Sequence, residues 1–177
     1  MKTDWSPVEV LRYARHDWLN KIQLIKGNLS LNKIDRANEI IDEIVSDARE
    51  EANLTNLILP RFATLLLTYN WNNQRFQVDY EVLDVLKCEY IDDEGLAQWT
   101  DDFFACLNAS IKPYYENHLT VTIDPQLTGT RFFFDFRGII TDIGQIEEFL
   151  SRDGFLAVVN QEISDYELSL EVFFSSK

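Results

Sequence analysis

The chain has 177 residues, of which 46% are hydrophobic and 13% aromatic, and its formal net charge is −14. This composition describes an ordered globular protein with one sizeable core, or a smaller core and an appended element, and excludes a disordered tail. The negative charge argues against nucleic acid and anionic membranes as partners. Cys88 and Cys106 lie far from other ligand types along the chain, so we expect buried thiols in a reducing compartment and no metal site.

The first predicted helix begins near Ser6. Ser6 is a suitable N-cap, Pro7 fits the first helical position, and Glu9 completes a capping box. The residues before it contain neither the apolar region of a signal peptide nor a spanning segment, so we expect a cytoplasmic protein. Apolar residues then recur at three- and four-residue steps on one stripe, which consists of Leu11, Ala14, Trp18, Ile22, Ile25 and Leu29.

A second register on the same helix is polar and small. Its members are His16, Asn20, Gln23 and Gly27. We therefore expect His16 on the helix exterior, with Asp17 beside it. A neutral imidazole there offers a nucleophilic nitrogen close to its working pH. An ordinary surface histidine is the alternative that periodicity alone leaves open.

A second helix is predicted from about Asp35 to Asn53. Its apolar stripe consists of Ile34, Ala37, Ile41, Ile44, Ala48 and Ala52. Residues 7–33 carry five basic and two acidic side chains, whereas residues 35–52 carry two basic and seven acidic ones. A basic helix beside an acidic helix favours an antiparallel hairpin and leaves positive charge around His16.

The hairpin has more apolar surface than two helices can cover. Leu19 and Leu24 widen the stripe of the first helix, and Ile40 and Val45 widen that of the second. A second copy of the chain would cover this surface in a dimeric four-helix bundle, which is the arrangement we predict. The alternative is that the C-terminal part of the chain folds back over the hairpin.

Pro60 is the predicted boundary between a helical hairpin domain, residues 1–60, and a second domain, residues 61–177. In the second domain the predicted helices are 62–70, 92–112 and 143–152, and the predicted strands are 75–83, 117–124, 130–136, 155–163 and 166–174. A turn is predicted at 125–129, and Tyr114 and Tyr115 are assigned to the core or its edge. His118 falls in a strand and is interpreted as structural. Sheet and helices together predict an α+β sandwich.

The run RHDWLNKIQLIKGNL at residues 15–29 resembles the phosphoacceptor helix of the sporulation phosphotransferase B family, a phosphorelay member of endospore-forming bacteria. The matching positions are Arg15, His16, Asp17, Asn20, Lys21, Gln23 and Gly27. The H-[DE]-x-x-N core also occurs in citrate-sensor histidine kinases, but the extension over residues 25–31 favours the phosphotransferase.

The resemblance implies a homodimeric phosphorelay histidine phosphotransferase. His16 would take a phosphoryl group from the aspartate of one response regulator and pass it to a second, a transcription-factor regulator. Asp17 would orient or polarise the imidazole, and Asn20 would fix it by hydrogen bonding. The residues expected to contact the phosphoryl group or the partner are Arg12, Arg15, Lys21 and Gln23. We expect no cofactor of its own, with Mg²⁺ supplied by the regulator's acidic pocket.

The second domain resembles the ATP-binding domain of histidine kinases in a degenerate form. Asn108 and Lys112 match part of the asparagine-rich helix of that family, but Phe104 stands where a second asparagine would be. The stretch at 142–146 lacks the second glycine of a D-x-G-x-G box, and no Gly-rich lid is present. Two alternatives stay open: a soluble sensor kinase core that phosphorylates His16 from ATP, and a non-catalytic dimeric scaffold.

Overall fold

The computed structural model describes residues 5–72, 74–84, 86–152, 156 and 158–176. The helices in these ranges are α1 (Pro7–Ser30), α2 (Ile34–Asn56), α3 (Pro60–Tyr69), α4 (Asp93–Ser110) and α5 (Ile143–Ser151). The strands are β1 (Gln77–Val82), β2 (His118–Gln126), β3 (Gly129–Arg137), β4 (Val158–Ile163) and β5 (Glu167–Ser175). The chain forms two compact units, Met1–Ala52 and Asn53–Lys177. The predicted division after residue 60 stays a prediction.

The first unit contains α1 and most of α2, so the predicted helical hairpin is confirmed. The chain reverses at Asn32, whose φ of 56° lies in the left-handed region that asparagine tolerates better than most residues. Just beyond it, the Lys33 N–H donates to the carbonyl of Asn28 at 2.9 Å, which closes the turn. Among the helices of the described ranges, none has the length and apolar character needed to cross a membrane.

The second unit is built on a five-stranded mixed sheet, which confirms the α+β class. The strand order is β1-β2-β3-β5-β4, with β1 parallel to β2 and the other pairs antiparallel. One face of the sheet is apolar and packs against residues of α3, α4 and α5 in a single core. Burial alternates along β3, and Phe132, Phe134 and Phe136 are on its buried face.

The turn predicted at residues 125–129 is shorter than expected, because β2 continues through Pro125 to Gln126. The carbonyl of Ile123 accepts a hydrogen bond from Leu83 on the β1 side. Alternation places the nitrogen of Pro125 on that same side, two residues further on, and the β1–β2 pairing ends at Ile123. The missing N–H of proline therefore breaks no ladder hydrogen bond.

Tyr114 is fully exposed and Tyr115 is mostly exposed, so assigning them to the core or its edge was wrong. They follow Pro113 in an exposed loop between α4 and β2, outside the periodic pattern of either element. The start of the strand predicted at 155–163 lies outside the described residues, and β4 is described from Val158.

Candidate functional site

α1 begins at a capped N-terminus. The Ser6 hydroxyl accepts a hydrogen bond from the Glu9 N–H at 3.3 Å, and the Glu9 carboxylate accepts one from the Ser6 N–H at 3.0 Å. This capping box starts the helix at Pro7, as the sequence predicted. It also sets the helical phase of every residue that follows, including His16.

One polar face of α1 carries His16, and we call it the His16 face. Its members are Arg12, His16, Asn20, Gln23 and Gly27, all of them exposed. At about 100° of rotation per residue, the five fall within about 80° of one another around the helix axis. The side chain of His16 is 71% exposed. Arg15 is also exposed and lies about 100° to one side. The face is accessible to a protein partner.

The imidazole of His16 is contacted on one nitrogen. The side-chain amide nitrogen of Asn20 lies 3.2 Å from Nδ1, within hydrogen-bond distance. The Asp17 carboxylate oxygen lies 3.6 Å from the same Nδ1, too far for a hydrogen bond but close enough for an electrostatic contact. Within the described part of the chain, Nε2 has no polar partner. The ring is therefore oriented through Nδ1, and Nε2 is left accessible.

Lys21 makes a different contact from the one predicted for it. Its ammonium forms an ion pair with the Asp47 carboxylate of α2 at 2.7 Å. Lys21 comes five residues after His16, which places it about 140° away around the helix. The pair joins α1 to α2, and Asp47 was not singled out from the sequence because no local pattern links residues 26 positions apart. The predicted phosphoryl contact of Lys21 stays a prediction.

The apolar stripe of α1 is solvent-exposed in the single chain. None of the residues of α1 is buried. Ile22 is 52% exposed, and Trp18, Leu11 and Leu29 are exposed to a similar or greater degree. On α2, Ile41 and Val45 are also exposed. These large apolar side chains form one continuous exposed row, unlike the single exposed apolar residues that are common on protein surfaces.

The residues that match kinase nucleotide motifs serve as structural contacts in this fold. The Asn108 amide oxygen accepts from the Arg75 N–H at 3.1 Å, and its nitrogen donates to the Tyr69 hydroxyl at 2.7 Å and to Gln74 at 3.3 Å. Asp142 is the N-cap of α5, where its carboxylate accepts from the Gln145 N–H at 3.0 Å.

Burial raises the pKa of several titratable side chains in the second unit. Burial raises the pKa of the Tyr69 phenol above its ordinary range, against the opposing effect of the Asn108 hydrogen bond. Burial also raises the pKa of the thiols of Cys88 and Cys106, which keeps both protonated and unreactive. In the described ranges no three acidic, histidine or cysteine side chains come together as metal ligands would. The second histidine, His118, lies 2.8 Å from the Asp79 carboxylate, on neighbouring strands.

Two family models match the chain. One is described as Sensor_kinase_SpoOB-type, alpha-helical domain, and matches residues 6–57. The other is described as Sporulation initiation phospho-transferase B, C-terminal, and matches residues 58–175. The chain is 36% identical over 172 residues to Sporulation initiation phosphotransferase B of Bacillus subtilis (strain 168), an alignment that covers 93% of this chain and 88% of the relative.

Solved structures also align with the chain at low identity. The nucleotide-free catalytic domain of histidine kinase ThkA aligns with a TM-score of 0.46 and 10% identity, over 70% of this chain and 92% of that chain. A structure described as a bacterial phosphotransferase aligns with a TM-score of 0.43 and 12% identity, over 96% of this chain and 98% of that chain.

Proposed function

The chain belongs to the sporulation initiation phosphotransferase B family and is a phosphotransferase of a sporulation phosphorelay, and from this premise we propose that His16 carries the phosphoryl group. The observation that supports the assignment is the exposed imidazole, oriented at Nδ1 by Asn20 and open at Nε2. Transfer between proteins requires an acceptor that a partner can reach, and His16 on the polar face of α1 meets that requirement.

The attacking atom in this proposal is Nε2 of His16. Its lone pair attacks the phosphorus of an aspartyl phosphate on the first regulator, and the Nε2–P bond forms. The bond from phosphorus to the carboxylate oxygen breaks, and the carboxylate leaves with the bonding electrons. In the second transfer, from His16 to the other regulator, a carboxylate oxygen of that regulator attacks phosphorus. The Nε2–P bond breaks, and its electron pair returns to the ring.

This chemistry requires the tautomer with its proton on Nδ1. The amide of Asn20 provides it when its oxygen faces the ring and accepts from Nδ1–H, since the two ends of an amide are exchangeable in such a contact. The Asp17 carboxylate, 3.6 Å from Nδ1, stabilises the positive charge that the ring gains during attack. Both residues thus act through the position and charge of the imidazole.

The partners in the proposal are two response regulators, one donating and one accepting the phosphoryl group. Arg12 and Arg15 are exposed on or beside the His16 face, where their positive charge offsets that of the group in transit. Gln23 is exposed on the same face, and its neutral amide donates hydrogen bonds to the group or to the partner. The exchange takes place in the cytoplasm, which agrees with free thiols at Cys88 and Cys106. The chain needs no cofactor of its own. Mg²⁺ held in the regulator's acidic pocket would neutralise charge on the phosphoryl oxygens.

We also propose that the protein that carries out the transfer is a homodimer. Pairing two hairpins through the exposed stripe of α1 and its counterpart on α2 would bury Trp18, Ile22 and Ile41 in a four-helix bundle. Burial of apolar surface stabilises such an assembly by about 25 cal/mol per Å². The stripe lies on the opposite side of α1 from His16, so dimerisation leaves the phosphoacceptor accessible.

Replacing His16 by Gln tests the assignment. The chain is mixed with a response regulator whose aspartate has been phosphorylated by radiolabelled acetyl phosphate, and the label is followed. We expect the wild-type chain and His118→Gln to take up label, and His16→Gln to take up none while it stays folded. The label should be lost in acid and survive base, as a phosphoramidate does. Label on His16→Gln, or an acid-stable label on the wild-type chain, would refute the proposal.

A further inference from the structure

The five-stranded sheet of the second unit has two edge strands, β1 and β4, which differ in how their outer sides are covered. On β1, the Asn70 side chain bonds both backbone groups of Val78, at 2.7 and 2.9 Å. On β4, the inner side pairs with β5, and no described residue bonds to the backbone of the outer side. The β4 edge therefore has free backbone donors and acceptors.

The hydrogen bonds of the β4–β5 hairpin show which groups of β4 face outward. The Ser164 N–H donates to the Glu167 carbonyl at 2.8 Å, so Ser164 faces the opposite strand. Inward and outward directions alternate along an antiparallel strand. Glu162, two residues before Ser164, therefore faces β5 as well. The N–H and C=O groups of Gln161 and Ile163 point away from the sheet.

β4 has few of the features that prevent edge strands from pairing. The usual ones are lysine or proline in the strand, a β-bulge, or cover by another element. The sequence VVNQEI at 158–163 contains neither lysine nor proline. Its bulge lies between Val158 and Asn160, so the register from Asn160 to Ile163 is regular. Residues 159–162 are exposed. A regular and accessible edge of this kind is a template for one more strand.

The core side of β4 would favour apolar side chains on an added strand. Val158 and Ile163 are half-buried and pack against the core. They lie opposite Val172 and Leu168 of β5, both of which are buried. Side chains on the same face of neighbouring strands are in contact, so every second residue of an added strand would extend this apolar margin.

The other side of β4 is acidic. The strands β4 and β5 contain three glutamates and no lysine or arginine. Glu171 pairs with Arg131 of β3 at 2.7 Å, whereas Glu162 and Glu167 form no ion pair with a described residue. Glu162 is in the edge strand itself, so basic residues at the intervening positions of an added strand would complement it.

We propose that β4 is a docking site for an extended segment of another protein, which joins the sheet as a sixth strand and carries alternating apolar and basic side chains. Its backbone bonds to Gln161 and Ile163, and a basic side chain lies beside Glu162. A second copy of the chain fits less well, because it would bring its own Glu162 and a net charge of −14. This binding activity goes beyond phosphoryl transfer and involves only residues of the second unit.

The probe for this site is a fluorescein-labelled hexapeptide of alternating valine and lysine, and fluorescence anisotropy measures its binding to the full chain at physiological ionic strength. We expect saturable binding with Kd below about 1 mM. Gln161→Pro removes an outward N–H without breaking a bond to β5, and should raise Kd by about tenfold or more. Gln161→Ala, the matched control, removes only the side chain and should bind within about twofold of wild type.

A second measurement leaves the protein unchanged and decides the question if circular dichroism shows that Gln161→Pro does not fold. The same peptide methylated on every backbone nitrogen keeps its charge but cannot pair as a strand, so it should bind about tenfold more weakly or less. Equal binding of the two peptides, or equal binding by folded Gln161→Pro and wild type, would show charge attraction alone and overturn the proposal. Absence of saturable binding to the wild-type chain would also overturn it.

Sedimentation of the chain without peptide tests the other occupant of the edge. We expect no assembly larger than a dimer at micromolar concentration. Larger assemblies of the wild-type chain that are lost in Gln161→Pro would assign the β4 edge to a second copy and overturn the proposed basic segment.

Discussion

The side-chain amide of Asn20 lies 3.2 Å from Nδ1 of His16, one helical turn away on the same exposed face. Both residues belong to one helix, so the contact needs no partner chain. With the amide turned so that its oxygen faces the ring, Asn20 accepts from Nδ1–H and holds the tautomer that attack by Nε2 requires.

Asn20→Ala should slow phosphoryl transfer on the order of tenfold to a hundredfold without removing the acceptor. The substitution leaves Nε2 in place but frees the ring to rotate and lose its Nδ1 proton, which is a loss of positioning. The rate is measured in single turnover with labelled regulator in excess. Stability should change within about 0.5 kcal/mol, because the position is exposed.

Asn28→Ala is the control for that loss. Asn28 is on the same helix, but its amide donates to the Leu24 carbonyl at 2.9 Å, away from His16. Transfer by this variant should match wild type. If Asn20→Ala transfers at the wild-type rate, Asn20 does not position the ring.

Ile22→Asp should dissociate the dimer. In the proposed bundle Ile22 is buried between hairpins, and an unpaired carboxylate buried there costs about 3 kcal/mol, or roughly 150-fold in the dimer dissociation constant. Analytical ultracentrifugation over a micromolar concentration series measures it. Ser46→Asp, which adds the same charge at an exposed position on α2, should stay dimeric. A wild-type chain that is monomeric at micromolar concentration would contradict the bundle.

Asn108→Ala should destabilise the second unit by about 2 kcal/mol. The substitution removes the hydrogen bonds that join Tyr69, Gln74 and Arg75 to α4 and leaves the buried Tyr69 hydroxyl unpaired. Urea unfolding followed by near-UV circular dichroism reports the change. Phosphoryl transfer by the folded variant should be unchanged, which separates this role from a catalytic one.

The contacts of Asn108 also argue against the alternative that the chain is a sensor kinase. Its amide groups are already engaged within the chain, so we expect no specific binding of ATP with Mg²⁺. Isothermal titration calorimetry decides the point. Binding tighter than about 100 μM, or roughly 5.5 kcal/mol, would favour the sensor kinase instead.

Ile58→Asn should stabilise the protein. Ile58 has φ of 62°, a left-handed conformation that is unfavourable for a β-branched residue, and its side chain is 42% exposed. Asparagine adopts this conformation more readily, and we expect this gain to exceed the loss of the partly buried apolar side chain. We expect a gain of about 1 kcal/mol, seen in calorimetry as a rise in Tm of about 2–4 °C. Ile58→Val keeps the β-branch and should leave Tm nearly unchanged; an equal rise in both variants would rule out backbone strain as the cause.

Local sequence patterns determined much of this protein. Ser6, Pro7 and Glu9 start α1 because their groups interact within one helical turn. The period of two in β3 placed its phenylalanines on the buried face, and the period of three to four in α1 separated His16 from the apolar stripe. The spacing of the motif around His16 also sets which side chains share its face. These features involve residues close in the chain, so periodicity and spacing are sufficient to predict them.

Contacts between distant residues were decided only by the tertiary structure. The pairing of Lys21 with Asp47 depends on how α1 and α2 align, and a periodic stripe leaves that register free. The amide of Asn70 closes the edge of β1 by bonding both backbone groups of Val78, at 2.7 and 2.9 Å. Asn108 similarly became a structural residue because the chain brings Tyr69 within reach of it. Periodicity reports which face of an element is apolar, but not which distant polar group a side chain will meet. For that reason α1 and its His16 face could be predicted from the sequence, whereas the long-range contacts within each unit could not.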